Sequence, residues 1–215
     1  IYELDTLRQL PYIATGASEG TVAHHIAASA NGIFAAATDY KGLGRILELN
    51  LDTRTSTQWA SLGPYKNDID PETVASAPHN GKTIFFPSSN GNVLVYDAAS
   101  GSFSVSRKDF EKLSGGFGAS NDGNFFVGNT VFNASAVPIG SYDDAAGTTA
   151  GIGFLDTLGY RVTTTAASAP GGLHRLAGAG NYLQIVQPAR MIESAKGGLP
   201  ESKFSRTVAP LANGR

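Results

Sequence analysis

Two stretches decide how this chain folds: Ala77-Pro78-His79-Asn80-Gly81-Lys82-Thr83-Ile84-Phe85 and Val93-Leu94-Val95-Tyr96-Asp97-Ala98-Ala99-Ser100-Gly101. In the first, Asn80-Gly81 precedes an apolar, β-branched and aromatic run. Asn-Gly supplies both left-handed positions of a type I′ turn, the strongest short-range hairpin signal. In the second, Asp97 follows an apolar run. Its carboxylate can accept a backbone N–H two residues on and so close a second hairpin.

Both signals recur. The glycine turns are Asn31-Gly32, Asn80-Gly81, Asp122-Gly123 and Asn213-Gly214, with Ala179-Gly180 as a weaker member. Apolar runs follow at residues 33–36, 83–86, 124–127 and 182–186. The aspartate turns centre on Asp5, Asp52, Asp97 and Asp156, each after a strand-like run. The two series interleave with a period of roughly 45–50 residues, so each unit holds four short strands, as a β-propeller blade does. A β-sandwich also turns often. It has no reason to alternate two turn chemistries in fixed order, and it stands as the alternative.

The phase predicts an all-β propeller of four-stranded antiparallel blades. A half-blade falls at 1–14, blades at about 20–65, 70–112, 114–168 and 170–205, and the start of another at 206–215. On this phase the ring is incomplete, and its remainder is a second chain or a missing segment, since open sheet edges invite aggregation. Residues 188–198, with Pro188 at one end and Gly197-Gly198 at the other, read as a short inserted helix. The two opening stretches resemble the repeats of YVTN and quinoprotein-like propellers, a fold-level likeness that extends to WD40-like repeats. The resemblance covers about residues 20–165. It implies the propeller fold and no particular activity.

Composition narrows the function. The 215 residues include 26 Gly, 10 Pro and no Cys; 41% are apolar and 16% charged, with a net charge of −2. The apolar fraction is enough for a core. The near-neutral charge makes no electrostatic case for nucleic acid or an anionic membrane. Absence of cysteine excludes disulfides, thiol nucleophiles and cysteine-ligated metal. No apolar run is long enough for a transmembrane helix. Low charge with many Ser, Thr, Gly and Asn leans toward a secreted or extracytoplasmic protein. One N-x-S/T triplet is present, Asn133-Ala134-Ser135, of a kind that arises by chance in a chain of this length.

Propellers bind ligands where their inner strands begin. Eight residues before each turn glycine lie His24, Thr73, Gly115, Gly172 and Arg206, with His25, Glu72 and His174 beside them. His24, His25, Glu72, His174 and Arg206 are therefore the candidate binding residues. Convergence of His25, His174 and Glu72 would suit a divalent metal or acid–base chemistry. Asp68, Asp70 and Glu72 are oxygen donors of the kind calcium takes, without a full calcium loop. Zinc or calcium is thus the cofactor expectation. Gly81-Lys82-Thr83 is not a phosphate loop, because Ser76 stands where that motif needs glycine. The first functional expectation is a binding or scaffold module that presents loops to a protein, glycan or small ligand. The second is a propeller lyase, lactonase or metal-dependent hydrolase with a histidine site at the channel mouth. A surface-layer component is a third.

Overall fold

A computed structural model describes residues 6–13, 20–60, 62, 69–143, 147–163, 171–178 and 182–191. Four antiparallel sheets follow one another along the chain. The first blade is β1 (Val22–Ala28), β2 (Ile33–Thr38), β3 (Gly44–Asn50) and β4 (Thr55–Gln58). The second is β5 (Thr83–Pro87), β6 (Val93–Asp97) and β7 (Ser102–Arg107). Residues 74–76 take its first-strand place, where Ser76 and Phe85 exchange backbone hydrogen bonds of 2.9 and 2.8 Å. The third is β8 (Phe117–Ala119), β9 (Phe125–Val127), β10 (Thr130–Phe132) and β11 (Pro138–Ser141). The fourth is β12 (Thr149–Leu155), β13 (Leu158–Thr163), β14 (Gly172–Leu176) and β15 (Ile185–Met191).

The order in the first blade is strand, Asn31-Gly32 turn, strand, loop, strand, Asp52 turn, strand, as the repeat predicts. The core lies between blades. Side chains alternate faces along a strand, so Ile84, Phe86, Leu94 and Tyr96 pack toward Phe34 and Ile46 of the first blade. Phe85, Val93 and Val95 pack the other way, onto Phe125, Val127 and Phe132 of the third. Phe126 and Val131 then meet Ile152, Leu176 and Tyr182 of the fourth. A sheet covered on both faces needs apolar residues at every position, which explains the unbroken runs 84–86 and 93–96.

First strands converge. The Gly116 N–H donates to the Thr149 carbonyl over 2.9 Å. A Cβ on Gly116 would sit 2.6 Å from the Gly151 nitrogen, so only glycine allows this approach. At the opposite end the first hairpin turns join each blade to the next. The Ala30 N–H donates to the Gly81 carbonyl over 2.8 Å, and the Asn80 side-chain amide to the Asn121 carbonyl over 2.9 Å. The Asn121 amide donates to Asp156 Oδ1 over 2.7 Å. Gly81 has φ +64°, and a Cβ there would press on the Ala30 nitrogen at 2.7 Å.

The second half of the chain divides differently from the sequence expectation. The proposed blades 114–168 and 170–205 are replaced by sheets spanning 117–141 and 149–191. Blade three is short because Gly128-Asn129 and the tight turn at residues 133–137 replace longer loops. Asp156 therefore turns the first hairpin of blade four, not the last hairpin of blade three. Residues 188–191 lie in β15, so the proposed helix does not begin there; its remainder, 192–198, lies outside the described residues. Of the half-blade at 1–14, residues 6–13 are described and Gln9 alone forms a bridge; residues 206–215 lie outside. The aromatics at 85, 86, 125 and 126 pack between blades from the second strand of each. No helix among the described residues is long and apolar enough to cross a membrane.

Candidate functional site

In an up-and-down blade the first strand begins at the end that also carries the loop between strands two and three. This mouth end holds His24 and His25, the connection through Asp70, Glu72 and Thr73, and the loops 39–43 and 88–92. Its polar side chains are largely engaged in bracing those loops. Asp39 Oδ1 accepts the Lys41 and Leu43 N–H groups at 2.8 and 3.0 Å, and Oδ2 accepts Arg45 Nη2 at 3.1 Å. The Leu43 N–H above all holds the Asp39 carboxyl below the usual range. Asp70 accepts Ser89 Oγ at 2.6 Å and the Asn90 and Glu72 N–H groups at 2.8 and 3.0 Å, tying the interblade connection to the loop 88–92. Thr73 and Ser88 hydroxyls share a 2.6 Å hydrogen bond.

Positions eight residues before the turn glycine lie near the beginning of first strands in three blades: His24 is the third residue of β1, and Thr73 and Gly115 just precede theirs. In the fourth blade that place belongs to Thr149. Gly172 instead starts β14, the third strand of its sheet. His24 Nε2 hydrogen-bonds the Thr38 hydroxyl. His25 sets its ring edge-on to Phe117, 5.2 Å between centroids, reaching from the first blade to the third. Burial, with the charge of His24 second, lowers the His25 pKa.

Glu72 lines a cleft of about 160 Å³ between blades two and three with Val74, Pro87, Ser89, Leu113, Ser114, Gly115 and Val127. Gly115 has φ +105°, and a Cβ there would lie 2.9 Å from the Gly128 Cα, so glycine lets the entry to β8 lie against the β9–β10 turn of its own blade beside the cleft. On the same rim, Tyr40 and Leu43 are 70% and 58% exposed. These loop residues carried no repeat or motif signal in the sequence.

His174 lies elsewhere. It is buried on β14, across the strand pair from Arg161, on the face that packs against blade three. His25, Glu72 and His174 do not converge: no three His, Asp or Glu among the described residues are grouped to hold a metal ion. Asp68 and Arg206 lie outside the described residues, and Asp70 is engaged in the loop contacts above. Of the aspartate turns, Asp97 does close its hairpin, with Oδ2 accepting the Ser100 N–H at 2.8 Å, three residues on rather than two. At residues 50–53 the acceptor is Asn50, which takes the Asp52 and Thr53 N–H groups.

His174 makes the fold sensitive to acid. Burial first, and the Arg161 charge second, lower its pKa. The unfolded chain therefore binds a proton near pH 6.5 that the folded chain refuses. This contribution to stability is complete above that pH and is lost as pH falls toward the lowered folded value. Thermal unfolding from pH 7.5 to 5 is expected to show a falling midpoint with a shallower slope in His174→Leu. An unchanged slope in that variant refutes the assignment.

No protein-family model and no curated protein matches this chain. Solved structures do match. The structure of U3-55K has a TM-score of 0.53 at 11% identity, over 74% of this chain and 50% of that one. A chain in the crystal structure of the mitotic checkpoint complex gives 0.51 at 12%, over 74% and 48%. The computationally designed Ika4 protein gives 0.53 at 12%, over 79% and 100%. The chain spans about half the length of the first two. At such identities the likeness is one of fold, and it agrees with the stacked sheets: the described residues fold as four-stranded blades of a partial β-propeller.

Proposed function

We propose that this chain is a protein-interaction scaffold whose mouth end receives a segment of a partner protein, and that it works outside the cytoplasm. The observation that carries the reading is the pairing of the exposed Tyr40–Leu43 rim with the Glu72 cleft at the same end of the propeller. Large apolar side chains held up on a rigid loop are typical anchors of protein interfaces. The Asp39 hydrogen bonds give that loop its rigidity. One similar structure was itself solved in a complex, which fits the reading. The weakly charged, cysteine-free composition supports the extracytoplasmic location.

A photo-crosslinking side chain placed at residue 40, in the protein expressed in its own cell, tests the reading. A protein adduct is expected at 40 and not at Leu51, which is 50% exposed at the opposite, turn end. Adducts that form equally at both positions, or at neither, dismiss the mouth as the docking end.

A further inference from the structure

The Asn133-Ala134-Ser135 triplet acquires a setting in the structure that its frequency alone does not supply. It forms the turn between β10 and β11, at the end of blade three away from the mouth. Asn133 Oδ1 accepts the backbone N–H groups of Ser135 and Val137, each at 3.0 Å. The Asn133 N–H donates to the Val137 carbonyl over 2.9 Å, and Arg107 Nη1 braces the turn by donating to the Ala136 carbonyl over 2.9 Å. The side-chain oxygen is thus held by the backbone, and Nδ2 has no hydrogen-bond partner among the described residues. Ala134 and Ser135 are exposed.

The neighbouring surface lacks protection. Among the described residues β11 pairs only with β10 and so is the edge of its sheet. Native edge strands are usually guarded by charge, yet residues 123–142 contain no charged side chain. Val137 and Ile139 are 42% and 48% exposed. Leu183, 38% exposed, lies against Gly140 of β11, where a Cβ would meet its Cδ1. A bulky hydrophilic group on Asn133 would cover this apolar edge and leave the mouth open.

We propose that Asn133 is an N-glycosylation acceptor. Its Nδ2 bonds to the anomeric carbon of an N-acetylhexosamine-terminated oligosaccharide carried on a lipid pyrophosphate. The carbon–oxygen bond to the pyrophosphate breaks, the lipid pyrophosphate leaves with the electron pair, and one Nδ2 proton passes to a base of the transferase. The hydroxyl residue two positions on, Ser135, completes the acceptor pattern.

The inference rests on the extracytoplasmic reading, and the test separates the two. The full chain is directed by a cleavable leader through a eukaryotic secretory pathway, and the peptide containing residue 133 is weighed. The expected result is a glycan mass that an N-glycan amidase removes, leaving aspartate at 133. That mass is lost in Asn133→Gln and in Ser135→Ala, which keeps the Asn133 turn intact, and is retained in Ser135→Thr. A secreted chain with unmodified Asn133 overturns the acceptor site. Retention of the chain in the cytoplasm of its own cell overturns the location, while the leader-directed result still judges the acceptor.

Discussion

Phe85→Ala is expected to destabilise the protein by about 3–5 kcal/mol, the range for emptying a fully buried aromatic site. Phe85 is wholly buried and lies flat on Phe125, with centroids 4.5 Å apart and planes 2° from parallel. Phe132 closes the same site at 5.9 Å. Phe85 sits on the second strand of blade two and points at blade three, so the cavity opens between two sheets that have no covalent link beside it. Neither sheet can collapse into the space without shifting its own ladder, which places the cost toward the upper end. For a chain of this size each kcal/mol lowers the melting temperature by about 2–4 °C, so a fall of roughly 10 °C or more is expected. A double-mutant cycle with Phe125→Ala should return about 0.5–1.5 kcal/mol of coupling for the stacked pair. A Phe85→Ala variant that melts within a degree of the parent would show that the interblade core is not where the stability lies.

The repeat was legible because turn chemistry is local. Asn31-Gly32, Asn80-Gly81 and Asp122-Gly123 each turn a first hairpin, but not with both residues left-handed as a type I′ turn requires: of the six residues only Gly81 and Gly123 have positive φ. Apolar runs such as 84–86 also report their double burial directly. The reading slipped at Asp156, where one aspartate can close either kind of hairpin. What distinguishes the two is its bond to Asn121 of the preceding blade, a contact across 35 residues that no local pattern records. The site was less legible for the same reason. Counting back from a turn glycine located His24 and Thr73 near the beginning of first strands, but the same count from Gly180 gave Gly172 and His174 a first-strand place, whereas they lie on β14, the third strand of its sheet. Tyr40 and Leu43 were invisible because exposure on a loop depends on what the rest of the chain leaves uncovered.

Arg161→Met is the second large expected effect, at about 3 kcal/mol, in the range found when one member of a buried charged network is removed. Arg161 is fully buried, and its guanidinium spans three pieces of chain. Nε donates to Thr149 Oγ1 at 2.6 Å within blade four; Nη2 donates to Asn129 Oδ1 of blade three at 2.9 Å and to the Gly147 carbonyl of the connection at 2.7 Å. The Tyr142 ring lies 4.3 Å from its central carbon, a cation–π contact in a desolvated place. Methionine matches the bulk closely, so a loss of stability reports stranded acceptors rather than a cavity. Lysine restores the charge without the planar fork and should recover little. Hydrogen exchange should rise first in β12 and β13, which the guanidinium pins to blade three. The same substitution makes a second, independent forecast for His174. The Arg161 charge disfavours the imidazolium, so its removal should raise the His174 pKa, while burial, the larger cause, keeps it below that of a free histidine. Nuclear magnetic resonance titration of the His174 ring reads this directly. A downward or absent shift would mean that the two side chains do not feel one another across the β13–β14 pair, and that the acid sensitivity of the blade three–four interface arises from burial alone.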